Sequence, residues 1–125
     1  MVTKKIKITI KTLEESFKEF KDFARNLDKG IIKKQTPELS FVNFETFKRF
    51  LTQKRLELLS IIKSTKPKSI NDLANKVQRD FKNVYEDIKI LDTLGLIKMK
   101  KTNSGIMPIV VYDELDLKIP LKIRA

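Results

Sequence analysis

With 125 residues, 41% of them apolar, and no cysteine, the chain is long enough for one compact domain or two small interdependent lobes and carries no disulfide framework. Its 27 Lys and Arg against 16 Asp and Glu leave a net charge of +11, a field that attracts polyanions, with nucleic acid the commonest partner and an anionic membrane surface the rival. No apolar run approaches the roughly 20 residues that span a bilayer, no apolar signal segment follows Lys4-Lys5, and without His or Cys the usual imidazole bases, thiolate nucleophiles and soft metal ligands are missing. The expectation is a cytoplasmic protein that is not an enzyme, with no cofactor, no metal site and no membrane partner.

The first predicted element is a strand, because Ile6, Ile8 and Ile10 alternate with Lys7, Thr9 and Lys11, the period of two that gives a strand one apolar face. Thr12, with Glu15 three residues on, reads as a capping box. It opens an amphipathic helix whose Leu13, Phe17, Phe20, Ala24 and Leu27 recur at spacings of four and three, and which Lys29-Gly30 ends. Ile31 to Leu39, containing Thr36-Pro37, reads as a loop and Ser40 to Phe44 as a short strand. Phe44, Phe47, Phe50 and Leu51 form one side of a short helix. These phenylalanines suit core or a dimer contact better than base-stacking platforms. Residues 1–50 are thus a strand and helix lobe and the candidate dimerisation region.

Thr52 caps the next helix, whose apolar face is Leu56, Leu59 and Ile62, widened by Leu58 and Ile61. Lys66-Pro67 closes it, since residues before proline avoid the helical region. Ser69, three residues before Asp72, caps a helix of about two turns with Ile70, Leu73, Ala74 and Val77 facing inward. Gln78-Arg79 make a turn, and Asp80 caps a third helix with Phe81, Val84, Ile88 and Leu91 as its buried side and Gly95 as its stop. Leu96 to Lys101 and Ile109 to Tyr112 read as strands around a Thr102 to Gly105 turn. Leu115, Leu117, Ile119, Leu121 and Ile123 then alternate with Asp116, Lys118, Pro120, Lys122 and Arg124, a last strand that Pro120 confines to a sheet edge. The fold class is α+β: a winged helix-turn-helix domain over 51–125 with a C-terminal strand, preceded by an N-terminal strand-helix extension.

In such a motif the helix from Ser69 lies across the DNA backbone and the helix from Asp80 enters the major groove. With Phe81, Val84, Ile88 and Leu91 inward, the outward face is Lys82, Glu86, Lys89 and Thr93, with Asn83 on its flank and Tyr85 at the margin. Lys82, Asn83, Tyr85 and Glu86 are the expected base contacts: lysine fits guanine acceptors, asparagine pairs with adenine and glutamate accepts from cytosine. Glu86 equally suits a pair with Lys82 or Lys89 along the helix. Phosphate contacts are expected from Lys68, Ser69, Lys76, Arg79 and Lys89, and from Lys98, Lys100 and Lys101 of the hairpin. The charge agrees, since Thr52 to Lys101 holds 12 basic against 6 acidic residues, whereas the tail from Thr102 is neutral. Asp113, Glu114 and Asp116 are a carboxylate cluster that a strand boundary near solvent explains.

The run LTQKRLELLSIIKSTKPKSINDLANKVQRDFKNVYEDIKILDTLGLI resembles winged-helix transcriptional regulators of the MarR/ArsR-like group. It is particularly similar to a prokaryotic family of DNA-binding proteins, common in archaea and described as predicted transcriptional regulators. The matching pieces are LTQKRLELL from Leu51, SINDLA from Ser69, RDFKNVYEDIKIL from Arg79 and LGLI from Leu94, with SFVNFETFKRF before them and PIVVYDELDL, Pro108 to Leu117, after. The resemblance covers most of the chain beyond Ser40. It implies DNA recognition by Arg79, Lys82, Asn83, Tyr85 and Glu86. Some members resemble antitoxins encoded beside a small toxin, which implies a toxin or other protein partner as the alternative. The expectation is a homodimeric, sequence-specific double-stranded DNA-binding regulator, a repressor. The alternative is an antitoxin or other protein-interaction winged helix, with or without autoregulation. No visible motif encodes the operator or an effector.

Overall fold

The computed structural model describes residues 3–30 and 37–121; most of the loop expected from Ile31 and the end of the last apolar alternation, Lys122 to Arg124, lie outside the described residues. Within them the chain is α+β. Its elements run β1 (Lys5–Ile10), α1 (Leu13–Asp28), β2 (Glu38–Phe41), α2 (Phe44–Phe50), α3 (Gln53–Thr65), α4 (Ile70–Val77), α5 (Phe81–Thr93), β3 (Ile97–Thr102), β4 (Gly105–Val110) and β5 (Glu114–Lys118). Two compact units result: a helical unit of Phe50–Asp113, to which Lys4 also belongs, and a sheet unit of Lys5–Arg49 with the chain from Glu114 onward.

The sheet unit is built on β1, which lies between β2 and β5 and is parallel to both. The isoleucine alternation explains the register, since Ile6 pairs with Leu115 and Ile8 with Leu117, and Ile6 and Ile8 are buried. The terminal strand pairs with the first strand at a sheet edge, but it ends at Lys118, so Ile119, Pro120 and Leu121 lie beyond it and the expected strand is too long. β2 starts at Glu38 rather than Ser40 and stops at Phe41. The Asn43 side chain accepts from the Thr46 N–H at 2.8 Å, so the backbone there turns into α2. Phe41 is buried and meets Phe47 edge-on at 5.6 Å, and Phe44 stacks on Phe47 at 5.7 Å.

Thr12 caps α1 as expected, its hydroxyl accepting from the Glu15 N–H at 3.2 Å. The amphipathic face is present yet uncovered: α1 has no buried residue, and Leu13, Phe17 and Phe20 are 64%, 64% and 68% exposed. The Lys11 ammonium bridges Glu19 and Glu38, each at 2.6 Å, and the Thr9 hydroxyl donates to Glu38 at 2.8 Å. Burial pulls the Lys11 pKa down, but hydrogen bonds and attraction from Glu19 and Glu38 outweigh it and hold it above the ordinary lysine value. Burial likewise pushes Glu38 up, but the bonds from Lys11 and Thr9 leave it below the ordinary carboxylate value.

In the helical unit, Thr52 and Ser69 cap α3 and α4 by accepting from the N–H groups of Arg55 and Asp72. Asp80 stands at the N-cap of α5 but makes no side-chain capping bond, which corrects the expected cap. The buried face of α3 is Leu58, Leu59 and Ile62, with Leu56 39% exposed; the stripe is rotated from the expected one. On α5, Val84, Ile88 and Leu91 are fully buried but Phe81 is 47% exposed. Phe81 is the first residue of the helix, and the next two residues are exposed as well, so the first turn stands clear of the core that covers Val84. Gly95 ends α5 with φ of 80°, a left-handed conformation that glycine adopts without a Cβ clash.

The hairpin pairs Ile97 with Val110 and Thr102 with Gly105, so the loop is only Asn103-Ser104. The return strand is thus Gly105–Val110 rather than Ile109 to Tyr112. The Thr102 hydroxyl sets this tight turn by accepting from the Ser104 N–H and donating to the Gly105 carbonyl. Gly105 has φ of 125°, a backbone conformation that favours glycine.

Candidate nucleic-acid interface

A helix of 3.6 residues per turn that buries Val84, Ile88 and Leu91 turns positions 82, 86 and 89 away from the core. Lys82, Asn83, Glu86 and Lys89 are all exposed on α5, and Tyr85 is half-buried. Glu86 takes neither pairing open to it: among the described residues it has no ion pair with Lys82 or Lys89. Lys89 lies instead with its ammonium 5.6 Å from the Tyr85 ring centroid. Tyr85 in turn stacks on Phe81, with centroids 5.9 Å apart and planes at 6°. Phe81, Tyr85 and Lys89 are four residues apart and form one column along a flank of the helix. The sequence reading missed this column because the spacing of three from Phe81 to Val84 fits a buried stripe.

Asp87, the acidic residue next to Glu86, is turned to the interior side. Its carboxylate accepts from Arg55 Nε at 3.0 Å and from Arg79 Nη2 at 2.8 Å, which ties α3, the α4–α5 turn and α5 together. The sequence held one signal for this: no lysine or arginine stands three or four residues from Asp87, so a partner on its own helix was excluded. Arg79, an expected phosphate contact, is therefore already engaged and only 25% exposed at its side chain.

At the start of α4, Ser69 and Lys76 are also engaged. The Ser69 oxygen accepts from the Asp72 N–H at 3.0 Å, and Lys76 bonds the Asp72 carboxylate at 2.8 Å. That carboxylate also accepts from the Lys68 N–H at 2.9 Å. The Lys76 bond and then the Lys68 N–H hold Asp72 below the ordinary carboxylate value. A carboxylate thus occupies ground where a phosphate was expected, while the Lys68 ammonium is left outward.

β3 alternates as a strand must: Ile97 is buried, Lys98 exposed, Met99 half-buried and Lys100 exposed, with Lys101 exposed beside the turn. Lys98 and Lys100 share a face, opposite Ile109 and Met107 of β4. Among the described residues, Lys68, Lys82, Lys89, Lys98, Lys100 and Lys101 form no ion pair, so their charge is not neutralised internally. Among the described residues no three His, Cys, Asp or Glu side chains cluster as metal ligands, and no helix is long and apolar enough to cross a membrane.

A protein-family model designated HVO_A0114 matches residues 50–117, a span that takes in α3, α4, α5, the hairpin and most of β5. No curated protein matches the chain.

Proposed function

The chain belongs to the HVO_A0114 family, and with the geometry of α5 and the hairpin as grounds we propose that it is a sequence-specific double-stranded DNA-binding regulator of transcription. In this reading it is a winged helix-turn-helix repressor that acts as a homodimer, with α5 in the major groove and the β3–β4 hairpin as the wing along the backbone. The observation that carries the reading is the sorting of side chains on α5. Val84, Ile88 and Leu91 anchor it in the core, while Lys82, Asn83 and Glu86 are exposed near its N-terminal end, where a groove helix meets base edges. Lys98, Lys100 and Lys101, which form no ion pair among the described residues, follow on the next element, β3. One short helix reads too few base pairs for useful specificity, which is the argument for two copies on a pseudo-palindrome.

The test is selection of bound duplexes from a random-sequence pool, followed by mobility shifts at increasing salt. The full chain selects an inverted repeat, and Lys82→Ala with Asn83→Ala abolishes the selectivity while circular dichroism stays native. A lost bidentate base contact costs about 1–3 kcal/mol of discrimination. Salt-independent affinity, or undiminished selectivity in the double variant, overturns the reading.

The exposed apolar face of α1, Leu13, Phe17, Phe20 and Leu27, and the two edge strands of the parallel sheet, β2 and β5, unpaired on their outer sides among the described residues, favour a second reading. This is an antitoxin or other interaction protein that holds a partner protein on the sheet unit, with or without DNA binding. The same double variant separates the two, because it leaves partner binding intact.

A further inference from the structure

We infer that Phe81 is a specificity-determining residue that reads the C5-methyl group of a thymine in the major groove; the inference rests on the DNA-binding reading above. Three observations point the same way. Phe81 is 47% exposed although its spacing fits the buried stripe of α5. Its ring is held in place: Tyr85 stacks on it at 5.9 Å and 6°, and Lys89 sits over Tyr85 from one turn further along. It occupies the first position of α5, directly before the exposed Lys82 and Asn83, so it belongs to the turn that approaches base edges in a groove-reading helix.

The chemistry then selects the ligand. A phenyl ring has no donor or acceptor for purine N7, guanine O6, thymine O4 or the exocyclic amines. The apolar feature that the major groove offers is the thymine methyl, which side chains such as Phe contact. The same geometry redefines Tyr85. With Phe81 on one side of it along the helix and Lys89 on the other, Tyr85 is a positioning residue for the Phe81 ring rather than a base contact.

The experiment uses the full chain and the duplex selected from a random pool, with each thymine replaced in turn by deoxyuridine, which lacks only the methyl. Removing the methyl that Phe81 covers weakens native binding about fourfold for each half-site. The same replacement leaves Phe81→Ala binding unchanged, while Phe81→Leu retains part of the response. The salt slope is the same in all three proteins, since no charge is altered. Selected binding with no thymine whose demethylation matters, or an equal loss in native and Phe81→Ala, overturns the inference and leaves the functional reading standing. Absence of any sequence-dependent duplex binding by the native chain overturns both.

Discussion

Asp87 is a largely buried acidic side chain on α5, and its two arginine partners, Arg55 and Arg79, account for its presence there. Its side chain is 14% exposed, and those of Arg55 and Arg79 are 16% and 25% exposed, so all three sit in partly desolvated ground where an unpaired charge is costly. Asp87→Asn removes two charge-assisted bonds and leaves two guanidinium groups facing an amide. Unfolding in urea then shows a loss of about 2 kcal/mol. The same substitution removes one negative charge and releases Arg79, so nonspecific duplex affinity at low salt rises. A variant that loses stability while gaining affinity separates this bridge from a merely structural one, in which both fall together. The bridge was only half legible in the sequence. Capping patterns at Thr12, Thr52 and Ser69 are local and can be read from three neighbouring positions. The Arg55 to Asp87 bond joins residues 32 apart, and sequence alone shows that Asp87 lacks a near partner without saying which arginine supplies one.

At the scale of elements, α1 is a helix whose apolar stripe is exposed among the described residues, and such a stripe suits a partner surface. In the homodimer reading that partner is the second copy. Phe17→Glu with Phe20→Glu is then expected to turn a dimer into a monomer in sedimentation velocity. The monomer's own stability changes by no more than about 0.5 kcal/mol, because the two rings are already exposed. A native chain that sediments as a monomer at high concentration sinks the prediction.

The Lys11, Glu19 and Glu38 cluster makes a second element-scale prediction, with a definite sign. The Glu38 carboxyl titrates below its ordinary value of 4.5. Its contribution to stability is therefore complete above that pH and is lost as pH falls through the lower folded value. Lys11 is held above its ordinary value of 10.5, so its contribution is complete below that pH and disappears as pH rises through the higher folded value. The stability gap between native and Glu38→Gln in urea is flat at neutral pH and closes on acidification; a gap that widens there refutes the assignment. The strands themselves were legible from the alternation of Ile6, Ile8 and Ile10 and of Leu115 and Leu117. Their pairing was not, because parallel β1–β5 contacts join chain ends 109 residues apart. The return strand of the hairpin was misplaced for a different reason: its register is fixed by the Thr102 hydroxyl and a two-residue turn, which apolar periodicity does not report.

For the whole molecule, a net charge of +11 acts in opposite directions on folding and on binding. Like charges repel within the folded chain, so added salt raises the thermal midpoint slightly. Bound to DNA, the same charges release counterions, so added salt weakens binding steeply. Sequence gave the total charge but overcounted the cations available, since Lys76 and Arg79 are held by Asp72 and Asp87. The proposed backbone contacts that form no ion pair among the described residues are Lys68, Lys89, Lys98, Lys100 and Lys101. If each neutralises one phosphate, a homodimer on its site shows a slope of log K against log salt of about −9, and a single protomer about −4.5. Replacing Lys98 and Lys100 by alanine in both copies lowers the magnitude of the slope by about 4, without changing which duplexes are preferred. The slope thus counts protomers and tests the hairpin in one titration. An unaltered slope in the hairpin variant removes the wing from the interface, and a native slope near the lower value removes the second copy.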